Sequence, residues 1–154
     1  MYRLRISFLF SLVLIATLST SFFAIAETKA IASSNGWVRS SPPGSKNGVA
    51  FVTLHNNSDT PQQLESVQCA ADIASRCELH QHLKTATGMR MQKVDGLLDI
   101  PAHGELRFAP GGYHIMLTGL AKPLTAGNNV EFIFTFADQS TYHVQLPVKS
   151  VHEE

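Results

Sequence analysis

The chain has 154 residues with twelve basic and twelve acidic side chains, so its formal charge is zero when histidine is neutral. That balance lacks the basic face a nucleic-acid groove requires. It leaves room for one domain with a real hydrophobic core, and no repeat, charge block or low-complexity tract divides the chain.

The first segment reads as targeting rather than fold. MYRLR supplies two arginines, ISFLFSLVLIATLSTSFFAIA is a long apolar run, and Ala24-Ile25-Ala26 closes it with the small-x-small pattern of a signal peptidase site. Residues 1–26 are therefore expected to be a secretory signal cut before Glu27, with 27–154 as the mature domain. An uncleaved anchor is the alternative, because the run is nearly long enough to span a bilayer. On either reading the folded part lies outside the cytoplasm. Cleavage removes Arg3 and Arg5 and leaves ten basic and twelve acidic residues, still near neutral.

From there the pattern points to β structure throughout. A polar lead, TKAIASSNG, runs into Trp37-Val38-Arg39, with Trp37 expected in the core. SSPPGSKNG is a loop whose prolines and glycines cannot continue a helix or a central strand. VAFVTLHN reads as a strand turned by NNSDTP, followed by candidates QQLESVQ, RCELHQHLK, MRMQKV, ELRF, YHIML, VEFIFTF and YHVQLPV. The clearest is Val130, Phe132, Phe134 and Phe136 alternating with Glu131, Ile133 and Thr135, which makes one face strongly apolar. Its partner follows across the hairpin-length Ala137–Ser140. Seven to nine short strands between Gly, Pro, Asn and Asp turns imply a single-domain antiparallel β-sandwich of Greek-key type. No segment has a helical period.

The chemistry lies in how soft donors are spaced along these strands. With Met1 gone, the methionines are Met89, Met91 and Met116, all between His80 and the end of YHIML, whereas core-filling methionines would scatter. Side chains alternate faces along a strand, so His80 shares a face with His82, Met89 with Met91, and His114 with Met116. Three strands thus each present a pair of soft or borderline donors. Thioethers bind hard cations poorly, and zinc would take His with Cys or carboxylate, so a mixed His/Met set selects Cu(I) by softness. Cys69 and Cys77 compete for the metal in principle. In an oxidising compartment two cysteines with seven residues between them are more often a disulfide, with free thiols or metal ligands as the alternatives. His55, His103 and His143 are isolated, and Pro110-Gly111-Gly112 reads as a tight turn that sets the angle of the strand carrying His114 and Met116.

The run ELHQHLKTATGMRMQKVDGLLDIPAHGELRFAPGGYHIMLTGLAKPLTAGNNVEFIFTF resembles the PCuAC family of periplasmic copper chaperones, whose signature is His, ten residues, Met, about twenty-one residues, then His-x-Met. Here ten residues separate His80 from Met91 and twenty-two separate Met91 from His114, with Met116 completing the motif. GVAFVTLHNNSDTPQQLESV is similar to the family's earlier strands, so the resemblance covers about 48–149. It implies a cupredoxin-like Greek-key sandwich that is not an enzyme and has no catalytic residues. It further implies one Cu(I) bound through His80, Met91, His114 and Met116; His82 and Met89, which share faces with His80 and Met91, are expected as auxiliary donors or cover for the site. The implied destination is the CuA centre of cytochrome c oxidase subunit II, with a Sco-type thiol protein as a second partner. The extra residue of the spacer is expected in a turn near Gly96-Leu97-Leu98. CAADIASRC is no part of the signature, and the short tail VKSVHEE, with His152 alone, lacks the His- and Met-rich extension that gives some relatives a second copper. Rival readings are a cupredoxin-like electron carrier, a copper storage or sequestration protein, and a secreted interaction module with incidental His and Met.

Overall fold

The computed structural model describes residues 30–150; the signal assigned to 1–26, and His152, lie outside the described residues. Ten strands follow in order: β1 Ile31–Arg39, β2 Asn47–Asn56, β3 Gln62–Cys69, β4 Ala74–Thr85, β5 Gly88–Lys93, β6 Leu98–Ile100, β7 Glu105–Phe108, β8 Tyr113–Leu120, β9 Asn129–Phe136 and β10 Thr141–Lys149. Among the described residues there is no helix, and hence none long and apolar enough to cross a membrane. The strand order β5-β4-β8-β7-β2-β1-β10-β9-β3-β6 is continuous, with β8 also pairing β2. The two halves meet where β1 runs parallel to β10 at Val38–Val148 and Arg39–Lys149. They close on one shared core, so the architecture is an all-β sandwich.

Period-two patterning builds that core. Val130, Phe132, Phe134 and Phe136 of β9 are all buried, in one core cluster with Val52 and Leu54 of β2 and Ile115 and Leu117 of β8. Phe108 and Phe134 lie in tilted ring contact, 6.5 Å between centroids. Cys69 of β3 is disulfide-bonded to Cys77 of β4, tying the two layers together.

Four features differ from the reading of the sequence. The segment read as a polar lead belongs to β1, whose Ile31 and Val38 are both buried although seven residues apart. Strict alternation would send them to opposite faces. The register shift between Ser34 and Trp37, with Asn35 at φ +51°, inserts the bulge that lets both face inward. The same bulge turns Trp37 outward, so it is half-buried on the outer surface against Phe51 rather than in the core. Gly96, at φ +97°, does turn the chain, but Leu98 already begins β6, pairing Leu64. Among the described residues the strands also number ten, and two pairings, β1 with β10 and β7 with β8, are parallel.

Candidate metal site

The site grows from the register of four neighbouring strands. Residues directly opposite in an antiparallel pair share a face. His80 stands opposite His114 and Glu78 opposite Met116 across β4–β8; His82 stands opposite Met91 across β4–β5; Val49 stands opposite Met116 across β2–β8. All of these side chains therefore share the outer face of the sheet, while Leu79, Ile115 and Leu117 take the inner one. Further along the same face Phe51 packs on Trp37 at 4.7 Å, and the Arg39 guanidinium lies 5.7 Å from the Trp37 ring centre and 5.9 Å from that of Phe51. Between them is a cavity of about 280 Å³ lined by Met91, His82, His114, Met116, Val49, Phe51 and Arg39, with Pro110 and Gly111 at one side.

His114 is the centre of the arrangement. It is only 3% exposed although it is on the outer face, because neighbouring side chains roof it. His82 stacks on its ring at 4.7 Å and 27°, and His80 is tilted against it at 5.9 Å. Its Nδ1 lies 3.1 Å from the Gly112 carbonyl and its Nε2 lies 3.2 Å from Met91 Sδ. A carbonyl can only accept, so the proton is assigned to Nδ1, which leaves Nε2 as a bare lone pair. A thioether has no proton to donate. Two lone pairs therefore face each other at 3.2 Å, an arrangement that a cation shared between them would make favourable. Burial pushes the His114 pKa below 6.5, only partly offset by the Gly112 hydrogen bond, and the neighbouring His82 and His80 push it in the same direction as burial. The ring is thus kept neutral and ready to bind.

The Gly112 carbonyl that sets this tautomer is held by the turn before β8. Gly112 N–H donates to Ala109 at 3.0 Å, with Pro110 and Gly111 between them and Gly111 at φ +82°, a type II turn that places proline and glycine where each is suited. The same carbonyl accepts from the His82 backbone N–H at 3.2 Å, so one oxygen fixes both β4 and the His114 ring.

Other residues singled out in the sequence are placed unequally. His80 adjoins His114 but is not among the cavity's lining residues; both its nitrogens are buried without a hydrogen-bond partner, as is Nδ1 of His82. Buried imidazole nitrogens with no partner are costly unless something else binds them. Glu78, which the sequence motifs do not single out, lies 3.6 Å from His80 Nε2, too far for a hydrogen bond, and accepts one from Lys93 at 2.9 Å. The Lys93 ammonium holds its carboxyl below the ordinary value of 4.5. Period-two spacing from His80 is the signal that could have found it. Met91 is 45% exposed, whereas Met89, opposite Lys84 and 60% exposed, is outside the cavity lining. Among the described residues no three of His, Cys, Asp and Glu are arranged to hold a metal ion. The donor set is complete only when thioether sulphur is counted, which favours a soft ion.

The chain matches the LpqE-like lipoprotein family over residues 31–148. It is 35% identical over 116 residues to "Putative lipoprotein Lxx21020" of Leifsonia xyli subsp. xyli (strain CTCB07), covering 75% of this chain and 68% of that one. Among solved structures it is similar to CuI-DR1885 from Deinococcus radiodurans, at 32% identity and TM-score 0.58, covering 82% of this chain and 83% of that one. It is also similar to the apo PCuAC domain from PmoF1, at 21% identity and TM-score 0.64 over 79% and 94% of the two chains, a likeness of fold. A family match that begins at the first residue of β1 and ends within β10 takes in every strand, and the chain belongs to the LpqE-like family.

Proposed function

We propose that this chain is a periplasmic copper chaperone that binds one Cu(I) through His80, Met91, His114 and Met116, with His82 and Met89 as auxiliary donors or cover for the site. The ion is then passed towards the CuA centre of cytochrome c oxidase subunit II, with a Sco-type thiol protein as a second partner. The observation that carries this reading is His114 Nε2 facing Met91 Sδ at 3.2 Å inside a cavity that Met116 also lines. The likeness to CuI-DR1885 supports copper as the cargo. Neutral imidazoles and thioethers match Cu(I) in softness and leave its charge uncompensated within the ligand set, which suits an ion meant to be surrendered. The family's description as lipoproteins and the apolar segment ending in Ala24-Ile25-Ala26 support export.

The test is an anaerobic Cu(I) titration against a chromophoric chelator. The parent is expected to withhold one equivalent. Met91→Leu with Met116→Leu keeps volume and apolarity, costing less than about 1.5 kcal/mol each in folding. Cu(I) affinity should fall by more than the roughly 10- to 100-fold that loss of an outer-shell partner costs. A double variant that competes as well as the parent sinks the assignment.

A further inference from the structure

The Cys69–Cys77 disulfide lines a separate open cavity of about 400 Å³ with Ser66, Gln68, Arg76, Glu78 and Lys93. Both cysteines are half-buried, so the bond is within reach of solvent. We propose that this pair, once reduced, is a second Cu(I) site made of two thiolates, independent of the His/Met cavity.

The strands on either side hold the sulphurs together after the bond is cut. Cys69 is fixed in the β3–β9 ladder opposite Phe132, and Cys77 in the β4–β8 ladder opposite Leu117. Their connection is pinned at several points that do not involve sulphur. Ile73 N–H donates to Ala70 at 2.9 Å, Ala121 N–H to Ile73 at 3.0 Å, and Lys122 pairs with Asp72 at 3.0 Å. Ile73 also packs on the core. With Cα atoms 5.9 Å apart on two anchored strands, the thiols stay neighbours when reduced, and little ordering entropy opposes their binding one ion. Thiolate is a softer and stronger partner for Cu(I) than thioether. A bis-thiolate Cu(I) unit carries one net negative charge, and of the charged groups along the cavity Lys93 is paired with Glu78 at 2.9 Å while Arg76 supplies positive charge.

The reducing step balances with a dithiol as co-reactant. One of its thiolates attacks a cysteine sulphur, the S–S bond breaks and a mixed disulfide forms. Its second thiolate then displaces the remaining cysteine and the reagent leaves as its own disulfide, so the protein gains two electrons and two protons. Binding of Cu(I) next releases the thiol protons.

The test uses the full chain, oxidised or reduced with a dithiol that is then removed, titrated anaerobically with Cu(I) against a chromophoric chelator. The oxidised protein should withhold one equivalent and the reduced protein two, the second bringing near-ultraviolet thiolate-to-copper absorption. Cys69→Ser with Cys77→Ser should withhold one equivalent whatever the treatment. Met91→Leu with Met116→Leu, when reduced, should keep the thiolate band while the other site fails, so the two sites fail separately. Circular dichroism should show the reduced chain still folded. The proposal is overturned by a reduced protein with two free thiols by alkylation that takes up no additional copper, or by one that unfolds on reduction.

Discussion

At the scale of single residues, charge beside His80 is set by one carboxylate and its restraint. Glu78 stands opposite Met116, 3.6 Å from His80, and is held by Lys93 at 2.9 Å. A cation bound beside His80 gains from the carboxylate and loses from the ammonium, which also draws the carboxylate away. Glu78→Gln should therefore weaken Cu(I) binding roughly 10-fold, the size of an outer-shell effect, while Lys93→Met should strengthen it. A purely structural ion pair would weaken binding in both variants, and competition titration of the two distinguishes these outcomes. The two depressed pKa values also separate by pH. The His114 value is lowered by burial, so the unfolded chain takes up the proton first, near 6.5, and the apo protein loses stability as pH falls from there towards the folded value. Above 6.5 this group contributes no slope. Glu78 acts in a more acid window, its contribution present above 4.5 and lost as pH falls through its lowered folded value. Urea midpoints taken from about pH 7 to about pH 5 should fall for the parent, and the His114→Gln variant should lose that part of the slope.

At the scale of elements, the turn from Ala109 to Gly112 is where local chain chemistry reaches the metal cavity. Gly111 has φ +82° and open space where a methyl group would project, so Gly111→Ala meets no clash and only the left-handed backbone opposes it. Stability should fall by about 1–2 kcal/mol. Cu(I) affinity should fall as well, because the Gly112 carbonyl that orients His114 belongs to this turn; equal affinity in a destabilised variant would disconnect turn from site. This turn was legible in the sequence because proline and glycine each have one suitable place in it. β9 was legible for a similar reason, its four alternating large apolar residues specifying a face. β1 was not, because a bulge changes the parity of every residue after Ser34 and the alternation on which the reading depends is lost. In the metal cavity, the shared faces of His114 with Met116 and of His80 with His82 follow from period two alone. Which imidazole of β4 leans into the cavity does not, since that depends on strand twist and rotamer. Val49, Phe51 and Arg39 were out of reach for another reason: β2 reaches the cavity through its pairing with the distant β8 and brings β1 beside it.

At the scale of the whole molecule, the soft donors lie on the outside of a sandwich whose core is complete without them. None of His80, His82, Met91, His114 and Met116 belongs to the core cluster, so taking up or losing an ion does not require the two layers to move. This placement bears on the choice between carrying electrons and carrying copper. A blue-copper carrier needs a thiolate on the metal together with two imidazoles. Both cysteines are bonded to each other, and Cys77 packs against the core three residues before His80, on the other face of β4. The half-exposed Met91 instead leaves one side of the cavity open to an incoming ligand. Cu(I) should therefore leave by exchange, an acceptor's thiolate binding the ion as the Met91 sulphur lets go. The oxidised-disulfide protein loaded with Cu(I) should be colourless and, on air oxidation, should show no intense thiolate-to-copper band. Mixed with an apo acceptor bearing a dithiol site, it should lose copper at a rate that rises with acceptor concentration. A rate independent of the acceptor would mean that the ion first dissociates into solvent. Failure to yield copper to such an acceptor would favour sequestration, and an intense blue band abolished by Cys77→Ser would favour electron transfer.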